Sequence, residues 1–376
     1  MGLTGVTAES LISPSLGVAL SATILSAPDT PDAIGRALAA AAAARDVLHV
    51  PTGVFLARRV EVPCGVAGIQ GDSPALYSRE GAGSVLKLAK GEAGCLLDLT
   101  RASRLSVRDL ELRGPGRDPG ADPVAHGVCV DLPSHDYRGG GDCFVLDGVS
   151  VGGFRGDGLH LQNAGVVTVR HCIVGGNGGH GILAHVWDGW VLDCMLSGNG
   201  LCGFYGGEST ASMTITGNRI EWNGMGGVWC RNAYRLSLTG NTIDHSGYAG
   251  MHFEDSNTLA IHGNVVWRSG KPYDPPPSGL PPSFLSDPLA LSQARFLRCR
   301  GVAFTGNALH AGLEDGDGGR WTPDYGLVVQ GLQHSAFTGN TLWGCAMKEA
   351  VVDLGGHGEG FLFEGNAVSL ATGELD

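Results

Sequence analysis

The chain has 376 residues, of which 43% are hydrophobic, 16% charged and 62 are glycine, with a net charge of −12. That acidity, four lysines in all and no basic stripe interleaved with aromatics exclude a nucleic-acid surface, and a strongly anionic polymer would be repelled unless cations bridged it. No apolar run reaches the roughly 18 residues of a membrane span.

The first 28 residues carry no clear signal. Leu16–Ala27 is mildly apolar but has no basic residue before it. This favours a cytoplasmic protein over a secreted one whose leader has been removed. Thr30-Pro31-Asp32 then predicts a helix start, with threonine as N-cap, proline at the first helical position and an acid in the first turn. The alanine-rich run 33–45 continues it. Residues 1–46 thus form an N-terminal segment whose helix covers the open end of the strand region beginning at residue 47, because exposed strand edges invite aggregation.

From residue 47 onward short strands alternate with turns. Early, irregular ones are expected at Val60–Val62, Val66–Ile69, Val85–Leu88, Leu96–Leu99 and Leu105–Leu112. Between residues 127 and 270 the pattern becomes a repeat of about 23 residues. Its steps end in Arg170-His171-Cys172, Leu192-Asp193-Cys194, Thr216-Gly217-Asn218, Thr239-Gly240-Asn241 and His262-Gly263-Asn264. Three more steps occur at Asn307, Asn340 and Asn366. A period of this length means a solenoid whose units bury their apolar faces only by stacking. Alternation such as Leu236-Ser237-Leu238 has period two, so the units are strands. Residues 47–376 are therefore read as one all-β domain, a parallel β-helix. Stacked asparagines bonding along a turn account for the Asn column without a catalytic role.

Ten cysteines occur without CxxC or zinc spacing, and structural zinc is not expected. Cys172 and Cys194 share a repeat position roughly 4.8 Å apart, which predicts stacked free thiols in the interior, with a disulfide as the alternative. Cys202 and Cys230 read as interior fillers.

The repeat breaks at one turn, with insertions at 114–125, 271–290 and 312–324, and insertions on one face of a solenoid usually build its binding surface. The stretch Lys271-Pro272-Tyr273-Asp274-Pro275-Pro276-Pro277 is stiff enough to serve as a wall. Glu314-Asp315-Gly316-Asp317 offers carboxylates for calcium, although no cofactor is required by the remainder of the sequence.

The helix, the run His49-Val50-Pro51-Thr52-Gly53-Val54-Phe55, the run Gly68-Ile69-Gln70-Gly71-Asp72 and the Gly-Asn rungs together resemble the pectate-lyase-like superfamily of right-handed β-helix proteins. The resemblance covers nearly the whole chain. It implies a carbohydrate-active protein without choosing among lyases, polygalacturonase-type hydrolases, epimerases, inulin fructotransferases and tailspikes.

Aligning the rungs gives columns of outward residues. One runs Gly175, Ser197, Glu221, Asp244, Trp267, and the next Gly176, Gly198, Trp222, His245, Arg268. Across the turn lie His160, Leu183, Tyr205, Trp229, His252, and beside them Gln162, His185, Gly207, Arg231, Glu254, with Glu208 adjacent. Glu221 and Asp244 fall in adjacent rungs, with Cα atoms roughly 5 Å apart. Carboxylates that close cannot both ionise freely, which suits a general acid paired with a nucleophile. Glu254 or Glu208 across the groove offers the wider, inverting geometry. Tyr205, Trp222, Trp229 and Trp267 are the candidate sugar platforms; Arg231, His245, His252 and Arg268 would bind hydroxyls or a carboxylate. Surface ion pairing of Glu221 and Asp244 with Arg268, Arg231 or His245 is the alternative account of the same residues.

The function expected from this cleft is cleavage or rearrangement of glycosidic bonds in an oligo- or polysaccharide, by hydrolysis or intramolecular transfer. A polysaccharide lyase or uronate epimerase, using Tyr205, His252, Arg231 or Arg268, is the second reading. A non-catalytic trimeric glycan binder of tailspike type is the third, and the elongated shape also suits side-by-side packing as a homotrimer.

Overall fold

The computed structural model describes residues 22–25, 31–74, 83–117, 123–134, 140–276, 280, 282–313 and 320–371. Thr30 and the Glu314–Asp317 loop lie outside them. None of the described helices is long and apolar enough to cross a membrane.

The chain winds into a parallel β-helix with three faces. Face three is a 12-stranded sheet that starts at Gly53–Ala57 and ends at Ala367–Val368. Faces one and two join in a 22-stranded sheet, because Leu159–Arg170 and Ile182–Leu192 run unbroken across the corner between them. Among the described residues, the one strand pair that runs antiparallel is Gly312–Leu313 with Arg320–Trp321, outside the solenoid. Period-two alternation sends Leu, Val, Ile and Phe inward. Phe253, Phe296, Phe304 and Phe337 form a fully buried aromatic stack with centroids 5.1–5.3 Å apart. Such rings bury much area and favour these offset and edge contacts.

The helix spans Ala33–Ala44 and packs Ala33, Ile34, Leu38 and Ala41 inward at the N-terminal end. It begins two residues after the predicted first helical position: Asp32 stands at the N-cap and makes no capping bond, its carboxylate lying 3.6 Å from Arg58 instead. Ala22–Ile24 adds a strand to Val47–His49, in a stretch whose sequence carries no signal.

The Gly-Asn signature has a mechanical cause. The residue before each ladder position adopts a left-handed backbone, with φ of 69° at Gly217, 64° at Gly240 and 60° at Gly263, where glycine is free of the Cβ clash. The following asparagine then turns inward. Asn264 Nδ2 donates to Leu238 O at 3.0 Å and to Asn307 Oδ1 at 2.9 Å, while its own Oδ1 accepts Asn241 N–H at 3.0 Å. The same bonds link Asn218, Asn241, Asn307, Asn340 and Asn366. A second ladder, Asn177–Asn199–Asn223, lines the turn between faces three and one. In the upper part of the first column Cys172 and Cys194 stand in for asparagine; all described cysteines are free thiols.

Asn264→Ala would leave the Asn241 N–H buried without its partner and remove the side-chain donors to Leu238 O and Asn307 Oδ1. At about 1–3 kcal/mol for each such group, it is expected to lower unfolding free energy by about 2–4 kcal/mol. Urea denaturation checks this. A loss below about 0.5 kcal/mol, within the range of an ordinary surface substitution, would show that the ladder is not a supporting element.

Candidate functional site

Strand register reproduces the columns read from the repeat. Gly175, Ser197, Glu221, Asp244 and Trp267 are successive partners on face three, and His160, Leu183, Tyr205, Trp229 and His252 on face one. What the columns do not show is which members remain open, and here the insertions decide. Among the described residues they leave two closed clusters and one partly exposed group.

The first closed cluster surrounds Glu221 and Asp244. Glu221 is 5% exposed and accepts Arg219 Nε at 2.5 Å. Asp244 is 4% exposed and takes a two-pronged bond from Arg268, Nε–Oδ1 3.0 Å and Nη2–Oδ2 2.6 Å. The guanidinium of Arg268 also stacks on Trp267, 3.7 Å from its ring centre, and donates to Leu313 O at 3.1 Å. Trp222 stacks on buried His245 at 3.8 Å, and Trp321 from the hairpin closes over both. Tyr273 of the proline-rich insertion donates to His245 O at 2.6 Å. His245 Nδ1 lies 3.0 Å from Asp244 Oδ1 but off the bonding direction, so neither ring nitrogen is hydrogen-bonded. Trp222, His245 and Arg268 also hold left-handed backbones where upper rungs use Gly176 and Gly198. Bulky residues there are strained.

The second closed cluster lies on face one. Trp229 is 7% exposed: His252 stacks on it at 3.8 Å and Phe284 of the insertion meets it edge-on at 4.6 Å. The aromatic face expected to carry a sugar is thus already covered. Arg295 binds Asp287 of the same insertion at 2.6 Å. His252 is buried, and burial lowers its pKa. Its Nε2 is 3.7 Å from Glu254. Glu254 is held down to about 2 by the neighbouring imidazole of His252 and, after it, by Arg298, against its own partial burial. Arg231 lies 3.9 Å from the same carboxylate. Glu254 therefore belongs to a separate ion-pair network from Glu221 and Asp244.

The third group, a candidate groove, lies on face one toward the N-terminal rungs and is partly exposed among the described residues. It holds Asp157, His126, His160, His180, His185 and Tyr205, with Glu208 exposed at the rim. Asp157 sits in the turn that feeds the strand Leu159–Arg170, and its carboxylate folds back beside that strand. Its Oδ2 lies 2.7 Å from His160 Nδ1 and 3.3 Å from His126 Nδ1, while Oδ1 accepts the His180 N–H at 2.7 Å. Burial pushes the carboxyl up, but hydrogen bonding within the surrounding histidine cluster outweighs it and holds Asp157 well below the usual range. In its neutral form His160 donates from Nδ1 to that carboxylate, which puts its other nitrogen, Nε2, on the opposite ring edge. The side chain of His160 is 25% exposed. Burial lowers His180 to about 4 and also lowers His185, so both are neutral near pH 7. Burial raises the Tyr205 phenol, so it is a proton donor at that pH rather than a base; its ring lies 4.7 Å from His180.

Asp157, His126 and His180 escape the column reading. Asp157 and His180 stand in turns, and His126 in the last irregular rung. The available signal is density: six of the chain's 13 histidines fall between residues 126 and 185, and four of them belong to this group.

Residues 157–270 match the sequence model of the family described as a right-handed beta helix region. No curated protein matches the chain. Among solved structures, DFA-IIIase from Arthrobacter chlorophenolicus in complex with GF2 aligns at TM-score 0.64 and 15% identity, over 94% of this chain and 99% of that one. The A-module of mannuronan C-5 epimerase AlgE6 from Azotobacter vinelandii aligns at 0.63 and 17%, over 91% and 96%. The enzymatically active domain of tailspike protein 2 of bacteriophage CBA120 aligns at 0.62 and 13%, over 80% of this chain but 44% of that domain, so this chain spans under half its length. At such identities the likeness is one of fold, and the fold is the right-handed parallel β-helix.

Proposed function

We propose that the chain is a carbohydrate-active enzyme that moves a proton at a sugar carbon beside a carboxylate, as a polysaccharide lyase or uronate epimerase does, in the partly exposed groove around His160. The observation that carries this reading is the 2.7 Å contact between Asp157 and His160 Nδ1 in a partly exposed setting. A buried carboxylate that fixes the tautomer and stabilises the imidazolium makes the outer nitrogen an oriented base. Tyr205 lies two rungs further along the same column, roughly 9–10 Å away along the axis. A sugar ring fits in that interval. His160 Nε2 would take the proton from the carbon next to the carboxylate. Protonated Tyr205 would give one either to the departing oxygen, which completes elimination, or to the opposite face of the carbon, which inverts it. Exposed Arg231 beyond Tyr205 supplies positive charge to the sugar carboxylate. The likeness in fold to a mannuronan C-5 epimerase over most of both chains agrees with a uronate substrate.

Hydrolysis or intramolecular transfer at Glu221 and Asp244 is the second reading. Their register pairing, the strained aromatic turn around them and the likeness in fold to DFA-IIIase favour it. Their burial against Arg219 and Arg268 places it second, because a general acid or nucleophile must reach its substrate.

A panel of neutral and uronate glycans separates the two. Ultraviolet-absorbing unsaturated ends, or a changed uronate composition without chain cleavage, are expected on a uronate polymer. New reducing ends or cyclised products without absorbance would move the chemistry to Glu221 and Asp244.

A further inference from the structure

We infer that His126, Asp157 and His160 form a binding site for a divalent first-row transition metal, with zinc as its reference ion. One ligand atom from each residue lies within 4.8 Å of the other two. The 3.3 Å between His126 Nδ1 and Asp157 Oδ2 is close to the edge of a tetrahedron whose metal–ligand bonds are about 2.0–2.2 Å. The two rings face the same carboxylate, with centroids 4.5 Å apart and planes inclined at 47°. Asp157 is 8% exposed at its side chain, and His126 and His160 are 19% and 25% exposed. The cluster therefore offers its donors from the protein side and leaves a further coordination position toward the groove.

Two imidazoles and one carboxylate select zinc, cobalt, nickel or iron(II) over calcium and magnesium, which prefer all-oxygen shells. Three protein ligands with an open position is also the count of reactive metal sites rather than of closed structural ones. The surroundings hold the donors in place. His180 N–H fixes the second oxygen of Asp157 at 2.7 Å, as outer-shell partners of metal ligands do. The His126 ring rests on Gly156, where a Cβ would stand 2.6 Å from its Nδ1 and Cε1. His126 Nδ1 accepts the Asp157 N–H at 2.8 Å, so it is the unprotonated nitrogen of its ring. Metal capture exchanges that hydrogen bond for a coordinate bond. At His160 the proton moves from Nδ1 to Nε2 as Nδ1 takes the metal, with no net proton released from that ring.

The effect of that proton shift on activity rests on the proposed chemistry at His160, although the binding itself does not. A protonated Nε2 is no longer a base, so the metal-loaded and proton-transferring forms of the groove exclude each other. A transition metal would then switch the enzyme off.

The test uses the full chain, first stripped with a chelator. Equilibrium dialysis against Zn2+ with elemental analysis is expected to give one ion per chain. Co2+ in its place is expected to give the visible absorption of a low-coordinate nitrogen–oxygen site. His126→Ala and His160→Gln should each weaken binding by at least about 10-fold, the lower range for losing even an outer-shell partner. His171→Ala, an exposed histidine outside the cluster, should leave it unchanged, and circular dichroism melts confirm that each variant folds. No bound zinc, or zinc retained equally by both cluster variants, would overturn the site. Inhibition by Zn2+ that the chelator reverses would support the switch. Binding without inhibition would leave the site standing and count against His160 as the base.

Discussion

Replacing His160 by alanine is expected to lower turnover on a uronate substrate by about 10²–10⁴-fold, the usual contribution of a positioned general base. KM should change far less, because the proton is transferred only in the transition state. Because buried Asp157 also loses a partner, a thermal melt is run alongside, and turnover must fall further than any loss of folded enzyme explains. Asp157→Asn is the finer probe. An amide no longer enforces the Nδ1–H tautomer and does not stabilise the imidazolium, so activity should fall although the ring remains in place. Tyr205→Phe should cost turnover as well, through loss of the acid. Full activity in both His160→Ala and Tyr205→Phe would remove the groove from the mechanism.

Arg268→Ala is expected to destabilise the fold by about 3–5 kcal/mol, the range for stripping one partner from a buried ion pair. Asp244 would remain 4% exposed with its negative charge uncompensated. The bond from Arg268 to Leu313 O, which ties the Gly312–Trp321 hairpin to the solenoid, would go too. Chemical denaturation provides the measurement. The double variant Arg268→Met with Asp244→Asn should recover much of the loss, because removing both charges also removes the desolvation cost. If Arg268→Ala alone proved as stable as the parent, Asp244 would be free to hydrate and protonate. That result would favour glycosidic chemistry at Asp244 and Glu221.

Both outcomes depend on the difference between what a repeat encodes and what it leaves open. A 23-residue period with Gly-Asn at a fixed place specifies register, because a one-residue slip would turn every inward Leu and Val outward and break the asparagine ladder. Hence the partnerships of Glu221 with Asp244, and of Tyr205 with Trp229 and His252, are legible in the sequence. Exposure is not. Whether Trp229 meets solvent depends on where Phe284 lands, and an insertion has no period to read. The same holds for Trp321 over His245. Asp157 escapes for a related reason: a turn residue points where its own dihedral angles send it. Nothing in the spacing says that its carboxylate folds back to His160 and to His126, 31 residues earlier. The strand Ala22–Ile24 goes unseen because three residues joining an edge carry too little alternation to stand out.

The most direct measurement is solvent isotope exchange. A uronate polymer incubated with the enzyme in D2O should acquire deuterium at the carbon beside the carboxylate, or unsaturated ends, with the wild-type chain and not with His160→Ala. Cleavage or rearrangement of a glycan with no deuterium on carbon and no unsaturation would contradict the proton-transfer account and leave Glu221 and Asp244 as the reacting pair.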